Sequence, residues 1–314
     1  MTTLDAGDAR AFEHEAFIYD HDDDYVGTLA PLMTAALAAG DAVLAVVPGP
    51  RADLLRAALG PSAGDVTWFD ACEWYQQPTR TIAGYEQTLR ALGPGTHAFV
   101  VGEVQFGDNE RGWTEWTRYE SVLNRALERH SARVVCPYDA RALPSRVVED
   151  ARRTHRYLLG TDARQVSDTY IEPESLLLDV TVGTVPPSGA PDVDVQVGNS
   201  VRDGRHAFEA AAAAWGLARA QAHKLSIAIS EVLTNAVIHG GGRAWLRIWC
   251  RDDGLTCMVD DAGSGSDDAL LGYLPPVPGA MSGYGLWLTR QLFDRAELSR
   301  SPRGGMRVLL TLDS

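Results

Sequence analysis

Glu231, Asn235 and His239 stand four residues apart in the stretch 225–240. A helix there turns a carboxylate, a carboxamide oxygen and an imidazole toward one region. That set suits nucleotide chemistry. Magnesium takes oxygen ligands and keeps several waters, so one oxygen of Asn235 and those of a triphosphate can complete its shell. Glu231 is then free to orient or deprotonate an attacking hydroxyl or water. Next, Asp260-Asp261-Ala262-Gly263-Ser264-Gly265 follows an apolar run ending at Val259. A carboxylate at the mouth of a strand can accept a hydrogen bond from an adenine amino group, and glycines two and four residues later let backbone approach the base. Asp261 has that spacing. Gly283-Tyr284-Gly285 opens an apolar helix beginning at Leu286. Free N–H groups and the dipole of such a helix start favour phosphate, which makes 279–285 the phosphate side and hinge of a lid.

Each stretch taken alone reads equally well as a solvated helix face, an acidic turn or a loop. Their order along one domain is what points to a nucleotide. His239 reads better as the helix end beside the Gly240 to Gly242 turn than as a chemical group.

The elements that must position these residues follow from hydrophobic patterning. In 225–240, Leu225, Ile229, Val232 and Ala236 recur at helical spacing and should face a sheet. Around them the pattern predicts helices near 202–215 and 218–239, strands near 243–250 and 255–259, a helix from about Gly285 and a closing strand near 306–312. That is an α+β two-layer sandwich over 193–314. Residues 181–192 are rich in Gly, Pro, Ser and Thr and read as a linker. Upstream, strand-like runs at 17–19, 42–47, 66–69, 98–104 and 134–136, expected to be buried on both faces, alternate with helix-length segments at 24–39, 51–59, 81–92 and 113–129. This predicts an α/β three-layer domain with a parallel sheet over 1–180.

The chain has 314 residues and a net charge of -14 with a pI near 4.9. So acidic a surface argues against direct nucleic-acid binding and against anionic lipid. Cys72, Cys136, Cys250 and Cys257 form no CxxC pair and have no nearby His at zinc-ligand spacing. With no signal peptide or membrane span in the sequence, a reduced, cytoplasmic protein is expected.

The three C-terminal stretches resemble the N box, the DxGxG box and the GxG box of the GHKL (Bergerat) ATPases. With ExxxNAxxHG and GxGLWLxRQL, the domain is most similar to bacterial anti-sigma factor serine/threonine kinases. The resemblance implies ATP and Mg2+ as cofactors, Glu231 as catalytic base and Asn235 as the magnesium ligand. It further implies Asp261 on the adenine, with Gly263, Gly265, Gly283, Gly285 and Leu286 lining the nucleotide. In the N-terminal half, His14 to Tyr19, Gly102-Glu103, Tyr119-Glu120 with Asn124, and Cys136-Pro137-Tyr138-Asp139 resemble the MEDS (DcmR-type) sensory domain. That family looks like a RecA/Rossmann-like nucleotide-binding fold without its phosphate loop, and no GxxxxGK[ST] occurs in this chain. If it senses a small molecule, the ligand sits beyond the C-terminal strand ends, with Tyr19, Glu103 and Asp139 as candidates and His14 and Asn124 close behind.

The combined expectation is a sensor-controlled serine/threonine kinase acting on an anti-anti-sigma antagonist. The alternative is a non-catalytic, ATP-gated module that sequesters a sigma factor or antagonist, and a homodimer is expected from the family. A histidine kinase fits less well, because 162–192 holds no phosphoacceptor His. The lid region 266–282 carries Asp267, Asp268, Pro275, Pro276 and Pro278 but no Lys or Arg. A cation for the γ-phosphate must come from elsewhere, such as Arg243, Arg290 or a partner chain.

Overall fold

The computed structural model describes residues 11–160, 163–180, 185–198, 200–276 and 283–314. Pro278, Gly279 and the rest of the lid hinge up to 282 lie outside the described residues, as does the start of the linker, 181–184. The chain divides into two compact units, Met1–Val180 and Thr181–Ser314.

The first unit runs β1 Glu13–Tyr19, α1 Asp22–Ala38, β2 Ala42–Val47, α2 Gly49–Leu59, β3 Thr67–Asp70, α3 Ala71–Trp74, α4 Pro78–Ala91, β4 Ala98–Gly102, α5 Glu110–Ala126, β5 Ala132–Asp139, α6 Ser145–Thr154, β6 Tyr157–Leu159, β7 Arg164–Val166 and α7 Pro173–Asp179. Its sheet has the order β3-β2-β4-β5-β1-β6-β7. All pairings are parallel except that of β6 with β7. The sheet is thus the expected α/β type with an antiparallel edge. One face packs Phe17, Tyr19, Val43, Ala45, Val101 and Val135 against Tyr25, Leu29 and Met33 of α1 and Leu55 of α2. Residues of opposite parity, such as His14 and Cys136, point to the other face, because side chains alternate along a strand. β3 departs from the fully buried strand expected at 66–69: it is an edge strand with Thr67 and Asp70 exposed.

The second unit runs β8 Val193–Val197, α8 Val201–Trp215, α9 Arg219–His239, β9 Ala244–Arg251, β10 Gly254–Asp261, α10 Tyr284–Leu292, β11 Arg295–Arg300 and β12 Met306–Asp313. Its antiparallel sheet has the order β11-β12-β10-β9-β8. Leu225, Ile229, Val232 and Ala236 of α9 are buried, as their spacing requires, against Leu246, Ile248, Cys257, Val259, Val308 and Leu310. The helices form one layer on one face of the sheet. Burying this continuous apolar face is what holds α9 in place, since a helix takes most of its stability from such packing. Among the described residues, no helix is long and apolar enough to cross a membrane.

Candidate functional site

Between α9, the end of β10 and the start of α10 lies a cavity of about 930 Å³. Glu231, Asn235 and His239 line it from α9, Asp261 from β10, Gly283 from the N-cap of α10, and Tyr284, Gly285 and Leu286 from α10 itself. Its size is that of a small-molecule site. The polar side-chain atoms of Glu231, Asn235 and His239 take no partner among the described residues, so the helix presents them to whatever enters.

Asp261 is buried, and its Oδ1 accepts from the backbone N–H of Gly263 at 2.9 Å and of Met306 at 3.1 Å. Both bonds fix the carboxylate through one oxygen and leave Oδ2 for a ligand. The neighbouring Asp260 is bound differently, by Arg307 at 2.8 and 3.0 Å and by Ser301 at 3.0 Å. Asp260 is structural.

The glycines separate by role. Gly265, with φ 73°, and Gly283, with φ 94°, adopt left-handed backbone and line the cavity. A Cβ on Gly285 would sit 2.8 Å from Glu231 Oε2, so this glycine lets α10 close onto α9 beside the carboxylate. Gly263 is not part of the lining. A side chain there would strike the carbonyl of His239, so its task is to let the strand end pass under the end of α9.

The described part of the lid packs on α10. Tyr273 is buried beneath the Arg290 guanidinium, which stands 3.7 Å from its ring centroid. Arg290 also donates to the carbonyls of Ala296 at 2.6 Å and Leu271 at 3.4 Å. Arg290 therefore ties residues 271–273 to α10 and β11 and does not line the cavity, and neither does Arg243. No Lys or Arg lies among the described lining residues. Arg300, which the sequence did not suggest, binds Ser264 and Asp267 at the edge.

The sensory candidates of the first unit fall into two separate polar clusters. At the C-terminal strand ends, Tyr25 donates to Glu103 at 3.1 Å, and Arg51 bonds Asp139 and Asp22, each at 2.9 Å. The Arg51 guanidinium lies over Tyr19 and Tyr25. Burial lifts the Glu103 carboxyl to about 7 against the pull of Arg51. Burial and Glu103 likewise push the Tyr19 phenol up. Arg141 holds Asp139 low. Tyr19, Glu103 and Asp139 thus gather as expected.

His14 and Asn124 do not join them. His14 is five residues before Tyr19 on β1, roughly 17 Å along the strand and on the opposite face of the sheet. There His14 contacts Asn124, Cys136 and Glu120, each at 3.2 Å, and His155 lies 3.5 Å from Glu120. Burial, with His155 alongside, lowers His14 to about 4, while burial and Glu120 raise the Cys136 thiol. His155 carried no signal in the sequence.

Fold and cavity define a chain of two units, a mostly parallel α/β unit and an antiparallel α+β unit that holds a cavity of small-molecule size. The comparisons make both halves specific. Residues 13–156 match the MEDS family, the methanogen/methylotroph, DcmR sensory domain. Residues 197–312 match the histidine kinase-like ATPase domain. The chain is a MEDS domain fused to a histidine kinase-like ATPase domain. Among solved structures, the ATPase domain of G40P is similar over 48% of this chain and 68% of that one, at 12% identity and a TM-score of 0.33. No curated protein matches the chain.

Proposed function

We propose that this is an ATP-binding regulatory protein whose C-terminal domain phosphorylates a Ser or Thr of an anti-anti-sigma-type antagonist, under control of the MEDS domain. The observation that carries this reading is the single cavity on whose walls Glu231, Asn235, Asp261 and the glycine-framed start of α10 meet. Asp261, anchored through Oδ1, offers Oδ2 to the amino group of adenine. The N–H groups at the start of α10 face the phosphates. Asn235 fits magnesium by donor type, a neutral oxygen beside a carboxylate, and would hold the ion through its carboxamide oxygen. Magnesium, when bound, neutralises charge on the triphosphate. Glu231 accepts the proton of the attacking hydroxyl.

The test is transfer of labelled γ-phosphate from ATP to the cognate anti-anti-sigma-type antagonist. Transfer that vanishes in Glu231→Gln while ATP still binds supports the kinase, and absence of transfer by the wild type overturns it.

A second reading rests on the lack of Lys and Arg in the described lining, which leaves developing γ-phosphate charge without a protein cation. In that reading ATP only orders the lid, and the domain sequesters a sigma factor or antagonist. Partner affinity that rises with ATP and is unchanged in Glu231→Gln, without transfer, supports it.

A further inference from the structure

His14, Glu120, Cys136 and His155 offer four donor atoms, all within 4.8 Å of one another, from side chains that are all buried. The chain brings them from β1, α5, β5 and the residue after α6. Nothing in the nucleotide cavity involves them, and the strand-end cluster lies on the other face of the sheet.

The hydrogen bonds behind the cluster decide what it can hold. Asn124 Nδ2 donates to the carbonyls of Glu120, Ser121 and Thr154 at 3.2, 3.1 and 2.9 Å, so its Oδ1 is the atom turned to His14 Nδ1. An amide oxygen can only accept. His14 Nδ1 therefore carries the proton, and in the neutral ring the Nε2 lone pair faces Glu120 Oε2 and Cys136 Sγ, each at 3.2 Å. His155 repeats the arrangement: its Nδ1 meets the carbonyl of Ala151 at 2.9 Å, and its Nε2 faces the same Glu120 Oε2 at 3.5 Å. Two imidazole lone pairs and a carboxylate oxygen thus converge with one thiol proton between them. His155 Nε2 and Glu120 Oε1 are buried without any hydrogen-bond partner. Three acceptors aimed at one another in a dry interior repel unless a proton or a metal cation lies among them.

We propose that these four side chains bind a divalent transition metal, with zinc the best match. Donors held at ~2.0–2.3 Å by one tetrahedral ion lie roughly 3.3–3.7 Å apart, close to the separations seen here. Imidazole, thiolate and carboxylate together suit zinc better than calcium or magnesium. A carbonyl on the remote nitrogen of each imidazole is the outer support that metal-bound histidines use to fix their tautomer. Four protein donors with no exposed position describe a closed site that pins β1 and β5 to α5 and α6, rather than a catalytic one. Sequence spacing hid it, because the ligands are up to 141 residues apart.

The test uses the untagged full-length chain, freed of metal by a chelator and then loaded with zinc or cobalt(II). Zinc bound in about equimolar amount, an X-ray absorption shell of one sulfur and three nitrogen or oxygen atoms, and a thiolate-to-cobalt charge-transfer band are the expected results. The band should vanish in Cys136→Ser and survive in Cys72→Ser, and zinc affinity should fall at least tenfold in His155→Gln. No bound zinc in the folded wild type, a shell without sulfur, or a cobalt band that persists in Cys136→Ser would overturn the proposal. The absorption shell is read on the wild type, so the test stands even if a variant fails to fold.

Discussion

Asp260 and Asp261 are consecutive residues at the end of β10 and serve opposite sides of the sheet. Asp260 is clamped by Arg307, with Arg247 3.8 Å away, whereas Asp261 turns to the helical face and is held by two backbone N–H groups. Strand parity alone separates them. The Asp-Asp pair therefore divides into one carboxylate that stabilises and one that is offered to the cavity.

Replacing each with Asn should give different phenotypes. Asp261→Asn keeps the Oδ1 acceptor for Gly263 and Met306 but puts an amide N–H where adenine would donate. Adenine-nucleotide affinity should fall about 10- to 100-fold, by calorimetry, with little change in melting temperature. Asp260→Asn weakens the buried pair with Arg307 and should cost up to roughly 3 kcal/mol of stability while sparing affinity per folded molecule. Equal nucleotide affinity in wild type and Asp261→Asn would remove Asp261 from the site.

Gly285→Ala tests the closeness of α10 to Glu231. Alanine is ordinarily favoured over glycine within a helix by ~1 kcal/mol. Here its methyl group would meet Glu231 Oε2 at 2.8 Å and Glu231 Cβ at 3.2 Å. The carboxylate can swing aside at little cost to the fold, but not without losing its position. Phosphoryl transfer should fall roughly 10- to 100-fold with nucleotide affinity nearly unchanged, as single-turnover kinetics beside a binding titration would show.

Much of the second unit was legible because its chemistry lies on long periodic elements. The apolar stripe of α9 set which face bears Glu231 and Asn235, and Val259 marked the strand that delivers Asp261. β8 and β11 were not foreseen. β11 reads Arg-Ala-Glu-Leu-Ser-Arg, too polar to signal a strand, and it forms because β12 offers it an edge. In the first unit, the convergence of Tyr19, Glu103 and Asp139 followed from strand ends. Placing His14 with them failed because one strand has two faces and a length. The His14–Glu120–Cys136–His155 cluster was not legible, since it depends on which strands neighbour β1.

Arg290→Met should loosen the lid. The guanidinium covers Tyr273 and bonds Leu271 and Ala296, so it joins the described lid segment to α10 and the strand beyond it. A desolvated cation–π contact contributes up to about 2 kcal/mol. Amide exchange in residues 270–276 should quicken by about tenfold, by mass spectrometry, while α9 stays protected. Unchanged exchange in that segment would mean that the apolar contacts of Leu270 and Tyr273 suffice to hold it.

Glu103 gives the first unit a pH response near neutrality. Its carboxyl ordinarily titrates at 4.5 and burial raises it to about 7 in the folded chain. The folded state therefore binds the proton more tightly than the unfolded one. Stability should decline as pH rises from 4.5 to about 7 and level off above, where the full penalty is of the order of 3 kcal/mol. Glu103→Gln removes the charge yet keeps an acceptor for Tyr25. The variant should melt above the wild type at pH 8 and close to it at pH 4.5, by calorimetry at matched ionic strength. A difference of the same size at both pH values would show that the carboxylate is not strained by its burial.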